Sequence, residues 1–555
     1  MDEARLAEIV ASLALAAEAA AGVPEETSAR AAIAAVAVAR ALGLSAREQS
    51  DAFYAALLRY IGCTSYAHET SWLGSGDDIG LLGALAPADA GDPGSVLRAV
   101  FTGAGRGTGA VGRVRSVARV LGSPAAPRRL SAAHCAQAVA LARELGLPGG
   151  VLDALGGMYE RWDGKGGPRG LAGEQIGVVA RVLKVAYAMV LHGAIEGPAA
   201  GVTVLGARRA GELDPAMVDA ILPRARELME GLLVPGVWDQ LLGCEPAPVQ
   251  GATPARIAEV AGAFATCVDL KSPYLLGHSQ RVAELCQGAV AADGGGPEDQ
   301  LRARVVGLLH DLGRASVPNG IWDKTARLSP FERQRIERHV TESERILARS
   351  PLLAPYAAVV GAHHERADGS GYPRRARVPQ LDPLSRVLAV ADVVAALGEE
   401  RPTRPARSND EVVRTTLEEV KAGRLDRDAA HAVLRAAGAR VRRRDALPCQ
   451  LSEREVEVLL WVARGLTNAQ IGRKLFISAR TVGHHLAHIY DKTDARTRAA
   501  AALFAVRHGL VGASGSDSGS GSGSGARTST GTVRDTATEL ARGAIAPGAA
   551  SAPTK

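Results

Sequence analysis

HHERADGSGYP (residues 363–373) and LLHDLGR (residues 308–314) are the two strings on which the reading of this chain turns. Outward from them, GHSQRV supplies His278, ERHV supplies His339 and AVADVV supplies Asp392. Together these strings hold seven donors: His278, His310, Asp311, His339, His363, His364 and Asp392. A packed core does not call for adjacent His-Asp and His-His pairs on apolar helical segments, whereas two divalent ions sharing a bridging oxygen do. The pattern reads as a metal site.

The order and spacing resemble the HD-GYP family of metal-dependent phosphodiesterases, which hydrolyse cyclic di-GMP. The resemblance runs from about Asp269 to Ala406, carried by HDLGR, HHERADGSGYP and RPTRPA (residues 401–406). It implies an all-α fold and two divalent metal ions, iron or manganese, on the seven donors. It further implies His310, Asp311 and Arg314 at the catalytic centre, with Gly371, Tyr372, Pro373, Arg401 and Arg404 beside Arg314 in binding substrate. Three positions depart from the family. Arg314 stands where lysine is usual, and its planar fork is a different donor from an ammonium. Ala395 replaces an aspartate, and Tyr274 replaces the glutamate of trinuclear members, which favours two metals.

Composition sets the frame. At 555 residues, with 47% hydrophobic content, 4% aromatics and a mean hydropathy of +0.03, the chain reads as several soluble, mostly helical domains. The net charge of +6 is too mild over this length to argue nucleic-acid binding without regard to location. Six cysteines are scattered with no CxxC pair, which suits a reducing cytoplasm. The acidic start MDEARLAEIV and the lack of a long uncharged apolar run predict neither signal peptide nor membrane span.

The first half repeats the second in altered form. YERWDGKGGP (159–168) aligns with HERADGSGYP (364–373), and the register extends: Tyr159 to Tyr187, His134 to Met158 and Thr27 to Arg59 reproduce the intervals between the later ligands. Only the Tyr60 to His134 interval is longer, by 46 residues. The seven ligand positions become Thr27, Arg59, Tyr60, His134, Met158, Tyr159 and Tyr187, and a cationic Arg59 repels a divalent ion. The expectation is a metal-free HD-GYP-like domain kept for regulation or packing; it could sense a ligand through the WDGKGGP loop or serve as a packing and dimerisation partner, and packing is favoured because no charged pocket is identifiable.

From Leu451 the pattern changes to short capped helices. Ser452 to Glu455 and Thr467 to Gln470 are capping boxes, and Ser478 caps a third helix with Val482, Leu486 and Ile489 inward. LSEREVEVLLWVARGLTNAQIGRKLFISARTVGHHLAHIYDKTDARTRA resembles the LuxR-type helix-turn-helix, which implies double-stranded DNA as a partner, a third helix in the major groove and a fourth, about Thr497 to His508, for dimerisation. Lys474, Arg480, Thr481, Gly483, His484, Ala487, His488 and Lys492 then face DNA, with Arg496 and Arg498 as further phosphate contacts.

The predicted organisation is a degenerate HD-GYP-like domain (1–245), a linker (246–256), the metal-dependent domain (257–437), a basic linker (438–447) carrying Arg440, Arg442, Arg443 and Arg444, the DNA-binding domain (448–511) and a disordered tail (512–555). The expected protein is a cytoplasmic homodimeric transcription regulator coupling a cyclic di-GMP phosphodiesterase or sensor to DNA, with no membrane association. Its rivals are a ligand-responsive DNA-binding regulator without turnover and a hydrolase acting on another nucleotide.

Overall fold

Ala, Leu, Arg and Glu favour helix, and few β-branched runs compete with them. The computed structural model describes residues 5–234, 236–439, 449, 451–495, 497–507 and 510. Among the described residues there are helices and isolated bridges but no strand, so the fold is all-α. The basic run at 440–444, Arg496, His508 and the tail from 512 lie outside the described residues. Two compact units divide the chain, 1–443 and 444–555.

In the first unit the two halves share one hydrophobic core. The helix Leu6–Ala21 shows why. It is apolar nearly all round, and a helix of that kind must be buried on every side. It packs on Pro254–Asp269 and Leu312–Ser316 of the second half as well as on Thr27–Ala41 of its own. Ser12 Oγ donates to the Ile346 carbonyl at 2.7 Å across the same contact. The end of the first half and the linker that follows it are likewise tied down. Val237–Cys244 is helical because Val237 and Leu241 are buried, Tyr54 donates to Glu245 at 2.8 Å, and the Leu6 amide donates to Gln250 at 2.8 Å.

The duplication appears as repeated hydrogen bonds at matched positions. Glu18 accepts from the Ser28 amide as Asp269 accepts from the Ser279 amide. Glu160 accepts from the amides of Arg169 and Leu171, and Glu365 from those of Arg374 and Ala376. Arg181 donates to the Ile176 carbonyl as Arg386 donates to the Leu381 carbonyl. Each buried carboxylate fixes a loop that helix packing alone would leave free.

The extra residues after Tyr60 form short helices, among them Ala67–Leu73, Asp78–Leu85, Pro93–Gly103 and Ala110–Leu121, around a small core of Leu73, Leu81, Val100 and Ala104. This insert reaches the second half, where Asp78 pairs with buried Lys271 and accepts from the Asn319 amide at 2.8 Å. One helix, Val178–Glu196, has the length and hydropathy of a membrane span, and 67% of it is buried in the core.

The second unit contains the helices Glu453–Ala463, Asn468–Leu475, Ala479–Thr493 and Arg498–Arg507. Both capping boxes and the Ser478 cap form as the sequence predicts. Val482, Leu486 and Ile489 enter a core with Val458, Leu459 and Ile471.

Candidate metal centre

Three histidines, His310 and His363 just past helix ends and His339 inside the helix Pro330–Leu347, are set by the same local device. In His310, His339 and His363 the Nδ1–H donates to the carbonyl three residues earlier, that of Gly307, Ile336 and Val360 respectively. A carbonyl can only accept, so each neutral ring presents a bare Nε2 lone pair inward. His278 is oriented differently, its Nδ1 lying 2.9 Å from a Glu399 oxygen.

The seven predicted donors converge. Asp311 lies at the centre, with Oδ2 2.9 Å from His310 Nε2 and 3.6 Å from His278 Nε2, and Oδ1 3.4 Å from His339 Nε2 and 3.6 Å from His363 Nε2. Asp392 spans His278 at 3.3 Å and His364 at 3.5 Å. Two groups able to hold an ion result: His278, His310 and Asp311, and His339, His363 and His364.

The residues fit a divalent metal on three observations. His278 Nε2, His310 Nε2 and both Asp311 oxygens are buried without a hydrogen-bond partner, and orphaned polar atoms of this kind are rare and costly. His339 Nε2 and His363 Nε2 face each other at 3.2 Å although both Nδ1 atoms already carry the proton, so two lone pairs oppose across a gap that a cation would fill. The donor set of imidazole and carboxylate suits iron, manganese or zinc.

The electrostatics agree. Burial pulls the His363 imidazole down to about 4, and burial with the neighbouring His363 holds His364 well below the ordinary range. Burial also opposes the charge on Asp311, yet Arg314 and His310 outweigh it and keep that carboxyl well below its usual value. His278 is the exception: burial pulls it down, but its bonds to Asp392 and Glu399 push it up to about 9.

A cavity of about 520 Å³ opens onto this cluster. Arg314, Tyr372 and Arg401 line it as the sequence predicts, with Tyr274 on the same wall. Gly371, Pro373 and Arg404 do not. A Cβ on Gly371 would meet the His364 oxygen at 2.4 Å and the Arg366 nitrogen at 2.5 Å, so the glycine serves loop closure. Arg404 is used up on the carbonyls of Ala396, Leu397 and Glu399, where it caps a helix end. Sequence reading missed Glu399, Trp322 and the cations Lys324, Arg327 and Arg333. Arg314 stacks on Trp322 at 4.8 Å, and the Trp322 ring packs against His339. The signal available for Glu399 was its place two residues before Arg401, with which it pairs at 2.8 Å.

The HD domain family matches residues 125–207 and 263–429, and the family of bacterial regulatory proteins of the LuxR type matches 449–505. The chain joins HD-type and LuxR-type domains. A curated relative, the 3'3'-cGAMP-specific phosphodiesterase 3 of Vibrio cholerae, is 28% identical over 74% of this chain and 89% of its own. The transcriptional regulatory protein LiaR of Bacillus subtilis is 44% identical over 12% of this chain and 32% of its own. A crystal structure of a cyclic GMP-AMP-specific phosphodiesterase from Vibrio cholerae superposes with a TM-score of 0.54 at 24% identity, covering 79% of this chain and 98% of that one, which speaks for the fold.

In the first HD-type half the matched positions also converge, with other chemistry. The Arg59 guanidinium lies 4.7 Å from the Tyr187 ring, 5.2 Å from Tyr159 and 5.8 Å from Tyr60. His134 Nε2 donates to the Arg59 carbonyl at 2.7 Å while its Nδ1 accepts from Tyr159 at 2.9 Å, and burial brings this ring down to about 3. Thr27 turns away to the Pro24 carbonyl. The expectation that this half has no charged pocket is corrected, because a cavity there is lined by Arg59, Arg161, Lys184 and Arg208. These cations are far apart in sequence and gather only when the helices pack.

On the LuxR-type unit Lys474, Arg480, His484, Ala487, His488 and Lys492 are exposed, and Thr481 and Gly483 are half-buried on the same helix. Lys492 donates to buried Glu455 at 2.8 Å, and His488 lies 3.8 Å from the same carboxylate. Arg498, expected on a phosphate, instead holds Asn468 and the Leu466 carbonyl, because its helix packs beside that turn.

Proposed function

We propose that residues 257–437 are a metal-dependent phosphodiesterase acting on a cyclic dinucleotide, coupled to DNA binding by residues 448–511 in a cytoplasmic, homodimeric regulator. The convergence of bare imidazole lone pairs and orphaned carboxylate oxygens around Asp311 carries this reading. Two divalent ions, iron or manganese, would be held by His278, His310, Asp311, His339, His363, His364 and Asp392. Such ions supply Lewis-acid polarisation and a water of lowered pKa.

The chain's own residues do the rest. Arg314, held flat by Trp322, presents a cation beside Asp311, and Arg401 presents a second on the same cavity wall. Both suit the charge that grows on phosphate oxygens during displacement. Tyr372, with its ring 4.9 Å from that of His364, offers a surface for a base. Arg327 and Arg333, exposed on the cavity lining, draw in a second phosphate, while Lys324 beside them is paired with Glu332 at 2.8 Å. A volume of about 520 Å³ is within the range of nucleotide-sized sites.

Cyclic di-GMP follows from the HD-GYP resemblance, while the Vibrio relative is named for 3'3'-cGAMP; the base pocket is what would choose between them. Arg314 and Ala395 favour slow turnover, and a sensor without turnover is the second reading. Purified full chain with Mn²⁺ or Fe²⁺, given both dinucleotides and subjected to elemental analysis, tests this: metal with hydrolysis of one supports it, and a chain that takes up no metal overturns it. For DNA, affinity should fall as salt rises and vanish on deleting 448–512. His484→Ala should change sequence preference, whereas Lys492→Ala should weaken all sequences alike.

A further inference from the structure

The cavity of the first half is built from charges that do not balance. Four cations line it, and the one carboxylate on its wall is Glu212. Lys184 at 3.0 Å and Arg208 at 2.7 Å share Glu212, while Arg161 is taken by Asp89 at 2.5 Å and Asp163 at 2.9 Å from behind. Four cations thus meet three carboxylates, and Arg59 is the one left over. Its guanidinium reaches the Met158 carbonyl at 3.3 Å and the Tyr60 hydroxyl, neither of which carries a counter-charge, and its Nε is buried without a partner. Three tyrosine rings offset part of the cost of that burial by cation–π attraction, but none of them supplies the counter-charge that a buried cation needs.

We propose that this cavity is an anion-binding site, in which Arg59 takes the carboxylate or phosphate headgroup of a small organic monoanion. Size limits the class. A dry cavity of about 150 Å³ takes up benzene, so the roughly 200 Å³ here fits a body of substituted-aromatic size and is less than half the space at the metal cluster. Leu82, Leu85, Leu130 and Leu191 supply apolar walls for that body. The site is distinct from the metal cluster and stands whether or not the second half turns over a dinucleotide.

The wall is the insert itself. His192 and Arg208 both donate to the Pro87 carbonyl, and Asp89 pairs with Arg161, so residues 82–90 are strapped over Arg59. The same segment begins at Asp78, which holds Lys271 and Asn319; Gly320 donates to the Gly76 carbonyl at 2.9 Å, and Trp322, two residues on, holds Arg314. An anion that tightens the strap therefore acts one helix away from Arg314.

Isothermal titration of the full chain with benzoate, phenyl phosphate and inorganic phosphate tests the site, repeated on His310→Ala/Asp311→Ala so that anions at the metal cluster do not count. One site per chain for benzoate or phenyl phosphate is expected in both proteins, with inorganic phosphate weaker because it leaves the apolar walls uncovered. Arg59→Gln should weaken binding at least tenfold. Ala88→Trp, which fills the cavity without touching the guanidinium, should abolish it and keeps the test decisive if Arg59→Gln does not fold. No binding of any probe at millimolar concentration, or binding unchanged in both variants, overturns the proposal and leaves Arg59 as a caged plug. Amide exchange should slow at residues 82–90 and at 319–322 when the anion binds, and slowing at 82–90 alone removes the relay.

Discussion

At one register position the second half has His310 beside Asp311 and the first has Arg59 beside Tyr60. In the second half a carboxylate and imidazole lone pairs point at one another and call for a cation from solution. In the first half the cation is covalently part of the chain, and aromatic rings take the places of ligands. The loops behave oppositely: Glu160 and Glu365 accept from the same pair of amides, nine and eleven residues on. Bonds that set the fold are kept while the charge at the centre inverts. Helix packing depends on small buried side chains and buried hydrogen bonds, and is indifferent to what sits at the centre so long as its charge is compensated.

The largest effect expected is on the centre itself. His310→Ala/Asp311→Ala should lose all bound iron or manganese and all turnover, measured on one sample; metal that persists in this variant and also survives loss of His339, His363 and His364 would place ligands in the first half and break the contrast. Glu399→Gln is next. It orients His278 at 2.9 Å, whereas the first half has Ala194 at that register. Metal affinity should fall roughly 10- to 100-fold, as for other outer carboxylates, with little change in melting temperature. A large loss of stability instead would make Glu399 a fold residue.

The loops should respond alike. A Cβ on Gly166 would meet the Arg161 nitrogen at 2.5 Å, as one on Gly371 would meet that of Arg366. Gly166→Ala and Gly371→Ala should each lower stability by about 1–3 kcal/mol in denaturant titrations. If only Gly371→Ala matters, the loops are not equivalent.

The smallest effect concerns pH. Burial raises Glu18 to about 7 and its counterpart Asp269 to about 6. Because the folded chain holds the proton more tightly than the unfolded, stability is full below about pH 4.5 for Glu18 and is lost as pH rises through about 7. Glu18→Gln should therefore raise the melting temperature at pH 8 more than at pH 5, by up to about 3 kcal/mol of stability. An equal change at both pH values would mean that Glu18 does not titrate in this window.

The sequence by itself determined the helical class, the two capping boxes of the LuxR-type unit, the seven residues that gather around Asp311 and Asp392 and the repeat that places Arg59 among tyrosines. These are legible because helix caps are local and because ligand spacing along the chain survives folding. Only the tertiary structure decided that Glu399 and Trp322 belong to the centre, that Arg404 and Arg498 are used up on backbone carbonyls, and that the halves share a core through Leu6–Ala21. It also decided that Arg59, Lys184 and Arg208 enclose one cavity. Each of these rests on contacts between residues far apart in sequence, where no local pattern marks which charge will find a partner and which will be buried without one.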